Sequence, residues 1–225
     1  MGRRTWSPAL ALAALLAPGC ATRIAPPPFD PQAAGARALA DYDRNRDGFL
    51  DARELEQCPG LKSCLARLDK DRDGRLSQGE VEKLLEGYRD SGIGLIEVAC
   101  RVTLGRQPLA GAEVTLAPEP FMGEGARPAR GTTDERGRAR PQVEGAPVRG
   151  CHLGVYRVRI SKKDAQGRET VPARYNTQTQ LGIEVGPGME GGFTFNLALG
   201  QRGRLQSCVE GVGRIDARRA AAGSR

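Results

Sequence analysis

Apolar residues recur along this chain in three successive textures. Residues 9–17 (ALALAALLA) form an unbroken apolar run. From Leu39 to Tyr88 the apolar positions fall at helical spacing: Leu39 and Tyr42, Leu65 and Leu68, then Val81, Leu84, Leu85 and Tyr88. Past a short stretch, Tyr88–Gly94 (YRDSGIG), the period changes to two. Ile96, Val98, Cys100, Val102 and Leu104 share one face of a strand, with Glu97, Arg101 and Thr103 on the other. Further alternating runs lie at Val114 and Leu116, at Tyr156, Val158 and Ile160, at Leu181, Ile183 and Val185, and at Phe193, Phe195, Leu197 and Leu199. With shorter strands near 131–133 and 137–140, the pattern predicts about seven strands in about a hundred residues, the size of a β-sandwich. The fold class expected is α + β in two domains, helices over 33–90 and a seven-stranded sandwich over 95–200.

Composition agrees with two modest domains. Of 225 residues, 39% are hydrophobic and only 4% aromatic, while 30 are Gly and 15 Pro, a balance that suits small Gly-turned units better than one large enzyme core. The single histidine, His152, removes most histidine-dependent catalysis and any multi-histidine metal site. On the approach to the Tyr156 strand it is expected at a surface or an edge. No Ser/His/Asp or Cys/His constellation and no Gly-rich phosphate loop is visible, so a non-enzymatic role is expected.

Two stretches of twelve residues interrupt the helical spacing: Asp43–Glu54 (DRNRDGFLDARE) and Asp69–Glu80 (DKDRDGRLSQGE). Both resemble the EF-hand calcium loop, with oxygen side chains at positions 1, 3, 5 and 9, Gly at 6 and Glu at 12. The ion dictates that pattern, because calcium takes roughly six to eight oxygens, more than a run of helix or strand can converge. The resemblance implies two Ca2+ sites. In the first, Asp43, Asn45 and Asp47 bind through side chains, Phe49 through its carbonyl, Asp51 through a water, and Glu54 through both carboxylate oxygens. In the second the same roles fall to Asp69, Asp71, Asp73, Arg75, Ser77 and Glu80. Gly48 and Gly74 stand where φ > 0 is required. Leu50 and Leu76, at position 8, are expected to pair as a short bridge inside a shared core. Only fourteen residues separate Glu54 from Asp69, fewer than in intracellular sensors of the family and similar to the EF-hands of secreted bacterial proteins. Pro59 and Gly60 are expected to break the first exiting helix. Between the loops, Cys58 and Cys64 are expected to form a local disulfide in an exported chain.

The leader 1–19 reads as an export signal: Arg3 and Arg4, an apolar run too short to span a bilayer, then small residues. Its end, LAPGCA, resembles the bacterial lipobox, which implies lipidation at Cys20. The alternative is plain secretion with Cys20 a bystander. Residues 20–32 (CATRIAPPPFDPQ) read as a stiff Pro-rich tether that would hold a domain off a membrane, and Ala33–Tyr42 as the first entering helix. The tail 201–225 is basic and Gly-rich with no periodic apolar face, and is expected to be disordered. Net charge is +7, or +5 without Arg3 and Arg4. A basic surface attracts anionic headgroups or glycans. Export and the scarcity of aromatic stacking residues argue against nucleic acid.

The second half also carries a resemblance. LGRQPLAGAEVTLAPE, TTDERGRARP, GVYRVRISKKD, VPARYNTQTQLGIEVGPG and FTFNLAL together are similar to the carboxypeptidase regulatory-like, or transthyretin-like, sandwich domain of bacterial lipoproteins. That implies a non-catalytic accessory fold. The hydrolase sharing the fold depends on several histidines and a C-terminal Tyr-Arg-Gly-Ser, whereas His152 is alone and the chain reads Ala-Ala-Gly-Ser-Arg at its end. Of the remaining cysteines, a Cys151–Cys208 or a Cys100–Cys208 bridge would tether the tail to the domain, and the choice stays open. The whole reads as a lipid-anchored calcium-binding protein of the bacterial cell envelope, with an envelope protein or glycan as partner. The rival readings are a calcium sensor that exposes a partner surface, and an enzyme accessory or hydrolase.

Overall fold

The computed structural model describes residues 24–188 and 192–197. The leader, the lipidation candidate Cys20, Leu199, Cys208 and the tail 201–225 lie outside the described residues.

Helix α1 (Pro31–Tyr42) begins two residues before the expected start, because Asp30 caps it by accepting the Ala33 N–H at 3.0 Å and Pro31 occupies the first turn. Its buried residues Ala34, Ala38 and Tyr42 recur every four, and Gly35 lets it close on the third helix: a Cβ there would lie 2.6 Å from Glu82 Cγ. After strand β1 (Phe49–Leu50), the first exiting helix is one 3₁₀ turn, Glu54–Gln57. Pro59 does not simply break it. Proline lacks an N–H that the first turn leaves unpaired anyway, so Pro59 opens helix α2 (Pro59–Leu68). Strand β2 (Leu76–Ser77) leads into helix α3 (Gln78–Asp90), whose buried Val81, Leu84, Leu85 and Tyr88 form the expected stripe.

Among the described residues, the alternating half folds into nine strands where seven were expected. They are β3 (Cys100–Leu104), β4 (Gln107–Pro108), β5 (Glu113–Pro118), β6 (Ala129–Thr132), β7 (Arg138–Ala139), β8 (Gln142–Val143), β9 (Gly154–Ser161), β10 (Gly182–Val185) and β11 (Phe193–Leu197). The additions, β4 and β8, are two residues each, too short to show a period. One sheet runs β10-β9-β5-β6-β8; the other runs β11-β3-β4, with β7 also on β3. Only β11 and β3 pair in parallel among these strands. Cys100, Val102, Val114, Leu116, Tyr156, Val158, Ile160, Ile183, Phe193 and Phe195 are buried, as their alternation predicts.

Helices and sheets share one continuous core. Helix α2 lies on β10 and β9 with backbone against backbone: a Cβ on Gly182 would stand 1.7 Å from the Pro59 carbonyl oxygen. The contact is sealed by Glu119, fully buried, whose carboxylate accepts the Gly60 N–H at 2.8 Å and meets Arg157 Nη2 at 3.1 Å. Arg157 also donates to the Gln57 carbonyl at 2.6 Å. Beside it, Glu184 pairs with Arg67 and accepts the Tyr88 hydroxyl at 2.9 Å, tying α2 and α3 to β10.

Three local expectations are corrected. The Pro-rich stretch is no free tether from Ile24 on: Pro27 and Phe29 are buried, the Phe29 ring meets Tyr88 at a tilt with 6.4 Å between centroids, and the Ile24 carbonyl sits so close to Gly94 that a Cβ there would come within 2.2 Å. Apolar Pro and Phe gain more from the core than from an extended spacer. Cys58 and Cys64 are both free and buried, not disulfide-bonded. Cys58 stands just ahead of helix α2 with its backbone out of helical geometry, whereas Cys64 lies within the helix and bonds through Sγ to the Gly60 and Leu61 carbonyls. Cys100 and Cys151 are likewise free and buried. Finally, His152 is not at the surface. It is 8% exposed, its Nδ1 lies 2.8 Å from the Gly94 carbonyl oxygen, and burial, aided by Arg127, holds the imidazole below its usual range.

Candidate metal centre

The two loops take the same backbone path. Each turns left-handed twice, at position 4 (Arg46 φ 58°, Arg72 φ 64°) and position 6 (Gly48 φ 85°, Gly74 φ 80°). Nothing lies within 4 Å of where a Cβ on either glycine would point, so conformation and not space demands glycine there. The arginines at position 4 accept a conformation that ordinarily costs an L-residue about 1–2 kcal/mol.

Hydrogen bonds from the turning backbone aim the acidic side chains inward. Asp43 accepts the N–H of Arg46 at 2.6 Å and of Gly48 at 2.9 Å; Asp69 accepts that of Gly74 at 2.9 Å and of Asp73 at 3.1 Å. Asn45 Oδ1 takes the Asp47 N–H at 2.9 Å, and Asp71 Oδ1 takes the Asp73 N–H at 3.2 Å. Asp47 and Asp73 in turn hold the N–H of Phe49 and Arg75 at 2.9 and 2.8 Å. Partial burial opposes ionisation of Asp69, but the N–H groups of Gly74 and Arg72 outweigh it and hold the carboxyl below its usual range.

The position-12 glutamates close the loops. Glu54 accepts from Arg44 N–H through Oε1 at 2.8 Å and from Asp51 N–H through Oε2 at 2.9 Å. Glu80 does the same with Lys70 at 2.8 Å and Ser77 at 2.9 Å. Position 9 starts each exiting turn: Asp51 Oδ1 caps Arg53 and Glu54 at 2.7 and 2.9 Å, contacts that hold its carboxyl below the usual range, and Ser77 with Glu80 completes a capping box. The loops are joined back to back through β1 and β2, with Phe49 opposite Ser77 and Leu50 opposite Leu76. Both leucines are fully buried, as expected of position 8.

This donor set fits calcium. Carboxylate oxygens of Asp69, Asp71 and Asp73 lie within 4.8 Å of one another. Two oxygens on one calcium ion stand at most about 5 Å apart, given Ca–O distances of roughly 2.3–2.6 Å. Every other ligand expected of the second loop, namely the Arg75 carbonyl, Ser77 and Glu80, belongs to the same closed turn. The first loop substitutes Asn45 for one carboxylate and keeps the hydrogen-bond pattern of Asp43, Asp47, Asp51 and Glu54. One feature escaped the sequence reading: the Arg75 side chain leans back over both loops, 3.0 Å from Asp73 Oδ2 and 3.7 Å from Asp47 Oδ2. The only sign of it was a basic residue at position 7, where the first loop has Phe49.

Comparison with known proteins gives the same reading of this region. The family model described as EF hand matches residues 36–59 and again 61–85. No curated protein and no solved structure matches the chain.

Proposed function

We propose that the paired EF-hands bind two calcium ions in a structural role, and that the ions lock the helical module onto the sheets it adjoins. The observation that carries this reading is the seat of α2. In a sensor pair, calcium swings helices apart to bare an apolar groove. Here the apolar face of α2 is already spent on β9 and β10, with the Gly182–Pro59 approach leaving no clearance for sliding. The position-12 residue of the first loop, Glu54, opens the 3₁₀ turn whose last carbonyl, Gln57, is held by Arg157. Ordering of the loop by calcium thus reaches the sheets within four residues.

The sheets, on this proposal, are a transthyretin-like accessory sandwich without catalytic function. Support comes from the joint between its Pro-Leu-Ala-Gly-Ala and Thr-Asp-Glu turns. The buried Thr133 hydroxyl donates to the Leu109 carbonyl at 2.6 Å and accepts the Ala112 N–H at 2.8 Å, while Asp134 takes the N–H groups of Arg136 and Arg138 at 2.9 and 2.8 Å. We further propose export and anchoring through Cys20 at the bacterial envelope, where the basic chain would meet an envelope protein or an anionic glycan. That part rests on the leader and its Gly19-Cys20 junction.

A calorimetric calcium titration, a chelator-treated thermal melt and an apolar-dye assay test the structural reading together. Expected are two binding events, one cooperative melt that calcium raises, and dye binding that calcium leaves unchanged. At a hundredfold excess over Kd each site contributes about 2.7 kcal/mol, or roughly 5–10 °C in a chain of this size. No uptake at millimolar calcium refutes the sites, and dye binding that climbs with calcium establishes the sensor instead. For the anchor, Cys20→Ser should move the chain from the membrane to the soluble fraction of expressing cells; equal retention of both forms rules lipidation out.

A further inference from the structure

At position 7 an EF-hand loop offers its ion a backbone carbonyl, so the side chain is free for other work. Phe49 and Arg75 hold this position in the two loops, and the β1–β2 pairing brings them together, with the Arg75 guanidinium stacked 4.0 Å from the centroid of the Phe49 ring. From that platform its Nε and Nη2 reach Asp73 Oδ2 at 3.2 and 3.0 Å, and its Nη1 lies 3.7 Å from Asp47 Oδ2. Asp47 and Asp73 are the position-5 ligands of their respective loops. Asp73 Oδ1 already accepts the Arg75 N–H, so Oδ2 is the oxygen that the guanidinium and an incoming ion both seek. In the first loop Asp47 Oδ1 accepts the Phe49 N–H in the same way.

We propose that the Arg75 guanidinium is a built-in counter-cation shared by the two calcium sites, a side chain that sets their affinity from outside the ligand set while the backbone carbonyl of the same residue belongs to it. The proposal rests on the loops being calcium sites. Without calcium the guanidinium neutralises one carboxylate in each loop and keeps the acidic clusters from repelling one another. With calcium it is a competitor, because a divalent ion needs both aspartates and is repelled by a cation held against them. Arg75 therefore acts with opposite sign on the two states: it stabilises the calcium-free fold and weakens calcium binding. Its planar fork suits this role, since it presents separate N–H groups to two carboxylates while its face rests on an aromatic ring.

The test is Arg75→Gln, measured as a thermal melt in chelator and as a calorimetric calcium titration of the full chain. Lys70→Gln is the control, since it removes an equal side-chain charge at position 2 of the same loop and keeps the backbone N–H that Glu80 accepts. Expected for Arg75→Gln is a lower melting temperature in chelator together with calcium affinity raised roughly three- to tenfold, the range for losing two partly exposed ion pairs. Lys70→Gln should move affinity by less than about twofold. The shared role has its own signature: in a Glu80→Gln background, Arg75→Gln still tightens the first loop. Three results overturn the proposal. One is a melting temperature lowered equally with and without calcium, which makes Arg75 only a packing residue on Phe49. Another is an affinity unchanged or matched by the Lys70 control, and the third is tightening confined to the second loop. The wild-type titration reports separately on the calcium reading, so absence of any binding there fails that reading and this one with it, whereas normal wild-type binding with an inert Arg75 fails this one alone.

Discussion

Glu54 and Glu80 each hold N–H groups from opposite ends of their loops, so each carboxylate shapes its loop before it could ligate anything. Replacing either with Gln puts an NH2 against one of those N–H donors and removes a negative oxygen. Two losses are therefore expected. Glu54→Gln and Glu80→Gln should each abolish one binding event or weaken it more than tenfold, and each should cost about 1 kcal/mol even in chelator, the net worth of a hydrogen bond at a part-buried carboxylate. Calcium calorimetry and urea melts of the two variants check this; unchanged stoichiometry in both would remove the glutamates from the sites. The thiols behave differently. Burial pushes Cys64, Cys100 and Cys151 up to about 12 and Cys58 well above its ordinary value, so all four act as apolar core residues with no reactive thiolate at neutral pH.

Among the elements, the decisive contact is α2 on β10. Gly182→Ala drives a methyl group into the Pro59 carbonyl, a clash with backbone that no rotamer relieves. The strand or the helix must then shift, at about 2–3 kcal/mol. The matched control is Gly87→Ala in α3, where nothing lies within 4 Å of the added Cβ and the gain in helix propensity is about 1 kcal/mol. Chemical denaturation should therefore move the two variants in opposite directions; equal midpoints would mean that α2 is not seated as described. Charge reinforces this joint. The Glu119–Arg157 pair is buried on the carboxylate side and partly open on the guanidinium side. Desolvation raises the Glu119 carboxyl above its usual range, against the pull of the Gly60 N–H and of Arg157. Such a pair contributes mainly by fixing one geometry, since the desolvation of the carboxylate offsets much of the attraction.

In the molecule as a whole, loops, helices and sheets share one core and are therefore expected to melt together. The single core joins Leu50 and Leu76 behind the loops to Leu61 and Leu85 in the helices and to Tyr156 and Ile183 in the sheet. On the proposed function, energy released by an ion at either loop would reach the sheets through that core, so one calcium-dependent melting transition is expected from the titration above and two separate ones are not.

Local chemistry was legible in the amino-acid order because it depends on near neighbours. The oxygen pattern of Asp43–Glu54 and Asp69–Glu80, the glycines at position 6, the stripe on α3 and the alternation of β3, β5, β9 and β10 all follow from residues a few places apart. Everything that depended on distant residues was decided by tertiary structure. The Pro-rich stretch had the composition of a spacer, yet the burial open to Pro27 and Phe29 drew it into the core. Cys58 and Cys64 had the spacing of a disulfide loop, yet Cys64 was folded into helix α2 and Cys58 left just ahead of it. His152 stood beside a strand in sequence, and only the approach of Gly94, 58 residues away, buried it and supplied its partner. The pairing of Arg75 with Asp47, and of Glu184 with Arg67 and Tyr88, came likewise from strands and helices meeting in space. Sequence periodicity reports which face of an element is apolar; it carries no term for what that face will meet.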